Sequence, residues 1–88
     1  MDRQKERIFM AVLRYETLGE FYEEYDVTRI QPLFWKKVGK TFINIGSMAG
    51  TGYVLMYYVQ TSTGFYKGKA FVSDKLDKLL PLYNNFTE

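Results

Sequence analysis

The chain has 88 residues, contains neither cysteine nor histidine, and carries a net charge of +2 at pH 7. A chain of this length fits one small domain, which we expect to span residues 1–88. Without cysteine and histidine it has no disulfide framework, no thiolate nucleophile, and neither the commonest general base nor the commonest metal ligand. We therefore expect no enzymatic activity, no metal site and no cofactor.

Charge is distributed unevenly along the chain. No acidic residue lies between Asp26 and Asp74, whereas six basic residues do. The six are Arg29, Lys36, Lys37, Lys40, Lys67 and Lys69. Residues 16–26, in contrast, contain five acidic side chains and no basic one. This asymmetry favours an anionic partner for the middle of the chain, and mutual neutralisation of the two segments is the alternative interpretation.

Neither the N-terminal residues nor the uncharged centre of the chain indicates a secreted or membrane protein. The first residues, MDRQKER, are charged and are not followed by an apolar signal segment, so we expect a cytoplasmic protein. Residues 41–66 carry no charge, but their Asn, Gln, Ser, Thr and Gly residues are too polar and too turn-prone for a membrane span.

Helical spacing is found in three places before residue 40. Apolar residues in 3–16 predict a first helix. The pair Thr17 and Glu20 has the spacing of a capping box, which predicts a second short helix reaching about Tyr25. Residues 29–38 predict a third helix, with Pro32 in its first turn and Gly39 just past its end.

The segment from residue 41 to residue 72 predicts three strands. Runs rich in Ile, Val, Phe and Tyr at 41–48, 53–61 and 65–72 are separated by short Gly, Ser and Thr clusters, which is typical of an antiparallel β-meander. Centring the loops on 50–51 and 62–63 places Ile45 opposite Met56 and Tyr58 opposite Lys67.

The last predicted element is a short helix that is capped by Ser73-Asp74 and lies on the sheet. The predicted fold class is thus α+β, with two or three short N-terminal helices, a three-stranded antiparallel meander and a short C-terminal helix.

The first functional hypothesis is a small protein-binding module, such as an accessory or inhibitor protein, that docks on an acidic protein surface. In the predicted register, one sheet face interleaves aromatic side chains with lysines, a composition suited to an interface. The predicted partner-binding residues are Met56, Tyr58, Phe65, Lys67, Lys69 and Phe71. Compact, cysteine-free, aromatic domains of this kind also occur among small accessory proteins of phages and mobile elements, and a homodimer is a further option.

The second hypothesis is nucleic-acid binding. The predicted order of elements in residues 3–61, with a basic third helix and then a hairpin, resembles the layout of winged-helix DNA-binding domains. The resemblance implies a nucleic-acid contact through that helix and a wing at Gly50–Gly52. The residues concerned are Arg29, Trp35, Lys36, Lys37 and Lys40. A variant has a single strand stacking on Tyr58, Phe65 and Phe71, unless the C-terminal helix covers that face.

Overall fold

A computed structural model describes residues 12–64 and 66–87 of the chain. These residues form five β-strands, two α-helices and one short 3₁₀ helix. In chain order the elements are β1 (Leu13–Tyr15), α1 (Leu18–Glu24), the 3₁₀ helix (Val27–Arg29), β2 (Ile30–Val38), β3 (Thr41–Met48), β4 (Gly52–Gln60), β5 (Tyr66–Ser73) and α2 (Leu76–Asn84). The strands form one antiparallel sheet in the order β1-β5-β4-β3-β2. Neither described helix has the length and apolar character needed to cross a membrane.

The sheet carries a core on each face, because one helix packs on each side. On the first face, α1 buries Leu18 and Phe21 against side chains of β1, β4 and β5. On the second face, α2 buries Leu79 against the inner strands β3 and β4. We call these the α1 face and the α2 face. Neither described helix covers its whole face, so the described residues leave part of each face open.

The predicted fold class is wrong in its number of strands and helices. The three predicted strands are present to within one residue at each end, but they are part of a five-stranded sheet. Residues 30–38 form strand β2 and not a third helix. In the predicted first helix, residues 3–11 lie outside the described residues and Leu13–Tyr15 form strand β1. The winged-helix layout therefore lacks its recognition helix.

Gly39 explains why β2 turns back into β3. Its φ of 62° is the left-handed value that a two-residue hairpin loop requires at its first position. Gly39 and Lys40 form that loop, and Val38 pairs with Thr41 on either side of it. The glycine interpreted as the end of a helix is thus a hairpin residue.

The β3–β4 register differs from the predicted one by one residue. The loop between these strands has three residues, so Met48 lies opposite Gly52 and Ile45 lies opposite Leu55 instead of Met56. In the next pair, Tyr58 lies opposite Gly68 instead of Lys67. Since neighbouring side chains on a strand point to opposite faces, this slip moves all of β4 to the other face. Met56 and Tyr58 therefore lie on the α1 face.

The helix predicted at the C-terminus is confirmed, and it lies on the sheet as expected. Its predicted cap is wrong, because the residue at the N-cap position is Lys75, which makes no capping hydrogen bond with its side chain. Ser73 contributes in another way, since its Oγ accepts a hydrogen bond from the Lys75 backbone N–H at 3.2 Å.

The capping box predicted for α1 is confirmed. Thr17 Oγ1 accepts a hydrogen bond from the Glu20 backbone N–H at 3.1 Å, and the Glu20 carboxylate accepts one from the Thr17 N–H at 3.2 Å. We expect Thr17→Ala to lower the free energy of unfolding by about 1 kcal/mol, because it leaves a helix N–H without its partner. Urea denaturation measures this loss. Thr63→Ala, in an exposed loop, is the control, and an equal loss in both variants would contradict the assigned cap.

Candidate functional site

Large apolar side chains are exposed mainly around β2. Among the described residues, the exposed ones are Tyr22, Val27, Leu33, Phe34, Trp35, Tyr66 and Leu82. Trp35 is the most exposed of them, with 70% of its surface accessible. It lies in the middle of β2, the last strand of the sheet on that side. The region around Trp35 is therefore the first candidate for a functional surface.

A groove runs along the α1 face beside Trp35. It has a volume of about 360 Å³ and lies where α1 leaves β2 and β3 uncovered. We call it the aromatic groove, and it is lined by Tyr22, Val27, Ile30, Pro32, Trp35, Phe42, Asn44, Met56 and Tyr58. An adjoining depression of about 240 Å³ extends it to Tyr66. Gly46 gives the groove its shape, since the space that a side chain there would need is occupied by Ile30 and the Gln31 carbonyl.

A row of interacting rings crosses the sheet at one end of the groove. The rings of Phe42 and Tyr58 are stacked with centroids 5.7 Å apart, and Tyr66 meets Tyr58 edge-on at 5.2 Å. The Lys37 ammonium lies 5.3 Å from the centroid of Phe42. Ring pairs of this geometry and a cation over a ring face hold each other in place. The surface is thus preorganised, apolar, and basic at the β2 side.

Tyr22 forms the opposite wall of the groove on α1. Burial, with a smaller effect of Tyr58, raises the pKa of Tyr22 above its ordinary value of 10.0. Its hydroxyl group therefore stays protonated at neutral pH and can donate a hydrogen bond to a bound molecule.

The outer side of β2, which we call the open edge, pairs with no other strand among those described. In an antiparallel pair, alternate residues direct both backbone groups at the partner strand and the residues between them direct both away. Val38 and Thr41 close the two-residue loop, so they form a hydrogen-bonded pair. The backbone N–H and C=O groups of Trp35 and Lys37 consequently point away from β3, toward the open edge.

The predicted partner-binding residues do not share one surface. Met56 and Tyr58 line the aromatic groove on the α1 face, as described above. Lys67, Lys69 and Phe71 lie on the α2 face, and Phe65 lies outside the described residues. The β4 register is the physical reason for this separation.

Lys67 and Lys69 line a different depression, of about 670 Å³, beside the half of β5 that β1 does not cover. Lys69 is already engaged, because its Nζ donates a hydrogen bond to Glu16 Oε1 at 3.0 Å. Arg14 forms a second ion pair with Glu16 at 2.8 Å. Lys69, one of the two lysines in the predicted interface, is therefore already paired with a carboxylate.

The hydrogen bond from Lys69, with a further contribution from the Arg14 charge, lowers the pKa of Glu16 below its ordinary value of 4.5. A carboxyl group whose pKa falls on folding stabilises the fold above its unfolded pKa, and this contribution is lost as the pH falls through the folded pKa. We expect Glu16→Gln to reduce the loss of stability between pH 6 and pH 3. Urea midpoints across that range test this, with Glu23→Gln as control. An equal fall of the midpoint between pH 6 and pH 3 in wild type and Glu16→Gln would contradict the expectation.

The residues of the nucleic-acid hypothesis are placed on several sides of β2. Arg29 ends the 3₁₀ helix and lies 3.9 Å from the Asp26 carboxylate. Lys36 extends over the α2 face, with its ammonium 4.5 Å from the ring centroid of Tyr83, whereas Lys37 lies on the α1 face. Lys40 lies in the hairpin loop. These cations therefore do not converge on one groove, as a duplex-binding helix would require.

Tyr22 and Phe42 are groove residues that sequence reasoning missed. A signal for Tyr22 was present, because the capping box fixes the start of α1 and buries Leu18, Phe21 and the half-buried Tyr25 on one side. Tyr22 is then the aromatic residue left outside that stripe. Phe42 could be found only with the correct β3–β4 register.

Fold and surface together define a small α+β domain in which an antiparallel sheet ends in an exposed, aromatic strand. Comparison of the chain with protein-family models, curated proteins and solved structures finds no match.

Proposed function

We propose that this chain is a non-catalytic binding module that docks on an acidic surface of a partner protein, in the manner of an accessory or inhibitor protein. The observation that carries the proposal is Trp35, which is 70% exposed between the aromatic groove and the open edge. Trp is among the residues most enriched at the energetic centres of protein interfaces.

The free energy available at this surface is large enough for specific binding. Fully burying one large apolar side chain contributes roughly 1.5–3 kcal/mol. The groove offers Trp35 and Tyr22, both exposed, and the half-buried Phe42 and Tyr58 beside them. Since the Phe42 and Tyr58 rings already stack on each other, little of their side-chain entropy is lost when a partner covers them.

The charges around Trp35 favour an acidic partner. Lys36 and Lys37 follow it directly, and no acidic residue occurs from residue 27 to residue 73. Lysines at the rim of an apolar patch accelerate association with an acidic surface and disfavour basic ones. The proposed site therefore keeps the partner class expected from the sequence but places the interface at β2 instead of Lys67 and Lys69.

A displayed library of random 12-residue peptides tests the proposal. We expect the enriched peptides to be acidic and to contain apolar residues, and we expect their binding to change the emission of Trp35, the single tryptophan. Trp35→Ala should weaken binding by about 30-fold, the effect of a strong interface residue, measured by anisotropy of the labelled peptide.

Leu82→Ala is the matched control, because Leu82 is an exposed apolar residue on α2 and lies outside the groove. It should leave the affinity unchanged. A library without enriched peptides, or peptides that bind wild type and Trp35→Ala equally, would refute a binding site at β2.

A single-stranded nucleic acid is the second candidate, favoured by the row of Phe42, Tyr58 and Tyr66 rings next to Lys37. Bases stack on rings of this kind, and lysines contact the phosphates. However, Phe42 and Tyr58 already stack on each other, which leaves less ring face for bases. Titration with oligo(dT) at 50 and 200 mM salt separates the two candidate partners. Tight binding whose affinity falls steeply with salt would favour a nucleic acid over an acidic protein.

A further inference from the structure

We infer that the partner binds as an added β-strand, with an extended acidic and apolar segment pairing along the open edge of β2. The sheet would then have six strands in the complex. This inference rests on the proposed function, since it specifies how the partner occupies the same surface.

The backbone of β2 provides the hydrogen-bonding groups for such a strand. The strand has nine residues and pairs with β3 along its length. Trp35 and Lys37 direct their N–H and C=O groups outward, as the hairpin geometry requires. A strand edge whose outward backbone groups pair with no other described strand is a template for another extended segment.

The two halves of β2 differ in how well they can accept a strand. The first half contains Pro32, which has no N–H to donate, and the pairing with β3 is irregular between Pro32 and Phe34. From Phe34 to Val38 the register with β3 is regular and contains no proline. The added strand therefore pairs along Phe34–Val38.

The side chains on either side of this segment define the sequence that would fit. On the α1 face, an added strand would place its side chains next to Trp35 and Lys37, at the rim of the aromatic groove. On the α2 face, they would lie next to Phe34 and Lys36. Each face thus presents one aromatic residue followed two positions later by one lysine. A segment with apolar residues opposite the rings and carboxylates opposite the lysines matches both faces.

The same charges favour a different protein over a second copy of this chain. Pairing of two β2 edges would place Lys36 and Lys37 of both copies along one junction without any acidic side chain of β2 to compensate. Edge lysines are a common device against such self-pairing. An acidic segment, in contrast, gains from Lys36 and Lys37, which both lie within the segment that it would pair with.

Amide hydrogen exchange tests strand addition without any substitution. The probe is a peptide enriched from the displayed 12-residue library, added to the isotopically labelled full chain. We expect the amides of Trp35 and Lys37 to exchange rapidly in the free protein and about tenfold or more slowly in the complex. The amides of Phe34 and Lys36, which already face β3, should change little.

Two variants of Lys37 supply an independent measurement. Lys37→Gln removes the charge, and Lys37→Pro removes the charge together with the outward N–H. Proline at such an outward position is compatible with an edge strand. We expect Lys37→Pro to bind the peptide about tenfold more weakly than Lys37→Gln, while their urea midpoints agree. If Lys37→Pro is unfolded, the exchange of the wild-type amides decides the question alone.

Each remaining outcome would overturn one of three statements: strand addition, the acidic partner, or the proposed function. A peptide that binds and depends on Trp35 but leaves the Trp35 and Lys37 amides unprotected would overturn strand addition and retain the proposed function. Protection that appears in the absence of peptide and increases with protein concentration would show self-pairing of β2 and overturn the acidic partner. Failure to enrich any peptide would refute the proposed function itself.

Discussion

Phe21→Ala is expected to lower the free energy of unfolding by about 3–5 kcal/mol, as for other buried aromatic residues. Phe21 is fully buried, with 0% of its surface exposed. Its ring stacks on Tyr25 with centroids 5.0 Å apart and meets Tyr15 edge-on at 5.7 Å. Removing the ring leaves a cavity that these two tyrosines cannot fill, because α1 is held at its start by the Thr17 cap.

The loss is large relative to the total free energy of unfolding of a chain of this size. At about 0.05–0.15 kcal/mol per residue, a domain of this length is stable by roughly 4–13 kcal/mol. Phe21→Ala therefore removes a substantial part of this stability, and all of it at the lower end of the range. Urea denaturation followed by circular dichroism measures the effect, with the Trp35 emission as a second probe.

Tyr22→Ala is the matched control, because Tyr22 is the next residue of the same helix and is 48% exposed. It should change the unfolding free energy by less than about 1 kcal/mol, as a surface substitution does, and weaken peptide binding at the groove. A loss of less than about 1 kcal/mol in Phe21→Ala would contradict the core described on the α1 face.

The central strands could be predicted from the sequence because their residues are strongly characteristic. Ile43, Ile45, Val54 and Leu55 lie in runs of β-branched and aromatic residues that both cores bury. Their loops were also marked by glycine. Helix α1 was predictable because the capping box is a local hydrogen-bonding pattern that needs no tertiary contact.

The edge strand β2 could not be predicted in the same way. An edge strand has one neighbour and only partial burial, so it lacks the clear alternation of a core strand, and its irregularity near Pro32 interrupts the pattern further. Ile30, Phe34 and Val38 happen to recur every four residues, which imitates a helical stripe. Only the pairing with β3, a tertiary contact, shows which interpretation is correct.

The sequence indicated several residues of the candidate site, but it placed them in the wrong secondary structure or on the wrong face of the sheet. Trp35, Lys36 and Lys37 were selected as residues of a basic helix, and they instead flank the open edge. Met56 and Tyr58 were selected together with Lys67, and the true register separates them. A loop one residue shorter than assumed is sufficient for this, because every side chain of β4 changes face. Sequence patterns therefore identified individual residues better than the surface they form.

Gly68→Ala is expected to have the second large effect, a loss of about 1–3 kcal/mol or more from overpacking. Gly68 lies on β5 opposite Tyr58 of β4. A Cβ atom there would overlap the carbonyl oxygen of Tyr57 and lie 2.7 Å from the Cα atom of Tyr58. These are backbone atoms of a central strand, so they cannot rotate away as a side chain would.

The strain should appear where β4 and β5 pair next to Gly68, at Tyr57–Lys69 and Val59–Lys67. The substitution should therefore also displace Tyr58 from its contact with Tyr66 and weaken binding at that end of the groove. Urea midpoints and the amide exchange of β4 and β5 measure the two effects separately.

Gly19→Ala is the control that separates close packing from the general cost of replacing glycine. Its added Cβ would meet nothing closer than Thr17 Oγ1 at 3.8 Å, an ordinary contact. Because Gly19 lies in α1, where alanine is favoured, the unfolding free energy should stay unchanged or rise by up to about 1 kcal/mol. Equal stability of wild type and Gly68→Ala would show that β4 and β5 are farther apart than described. It would then contradict the β4–β5 register, on which the aromatic groove and the position of Tyr58 within it depend.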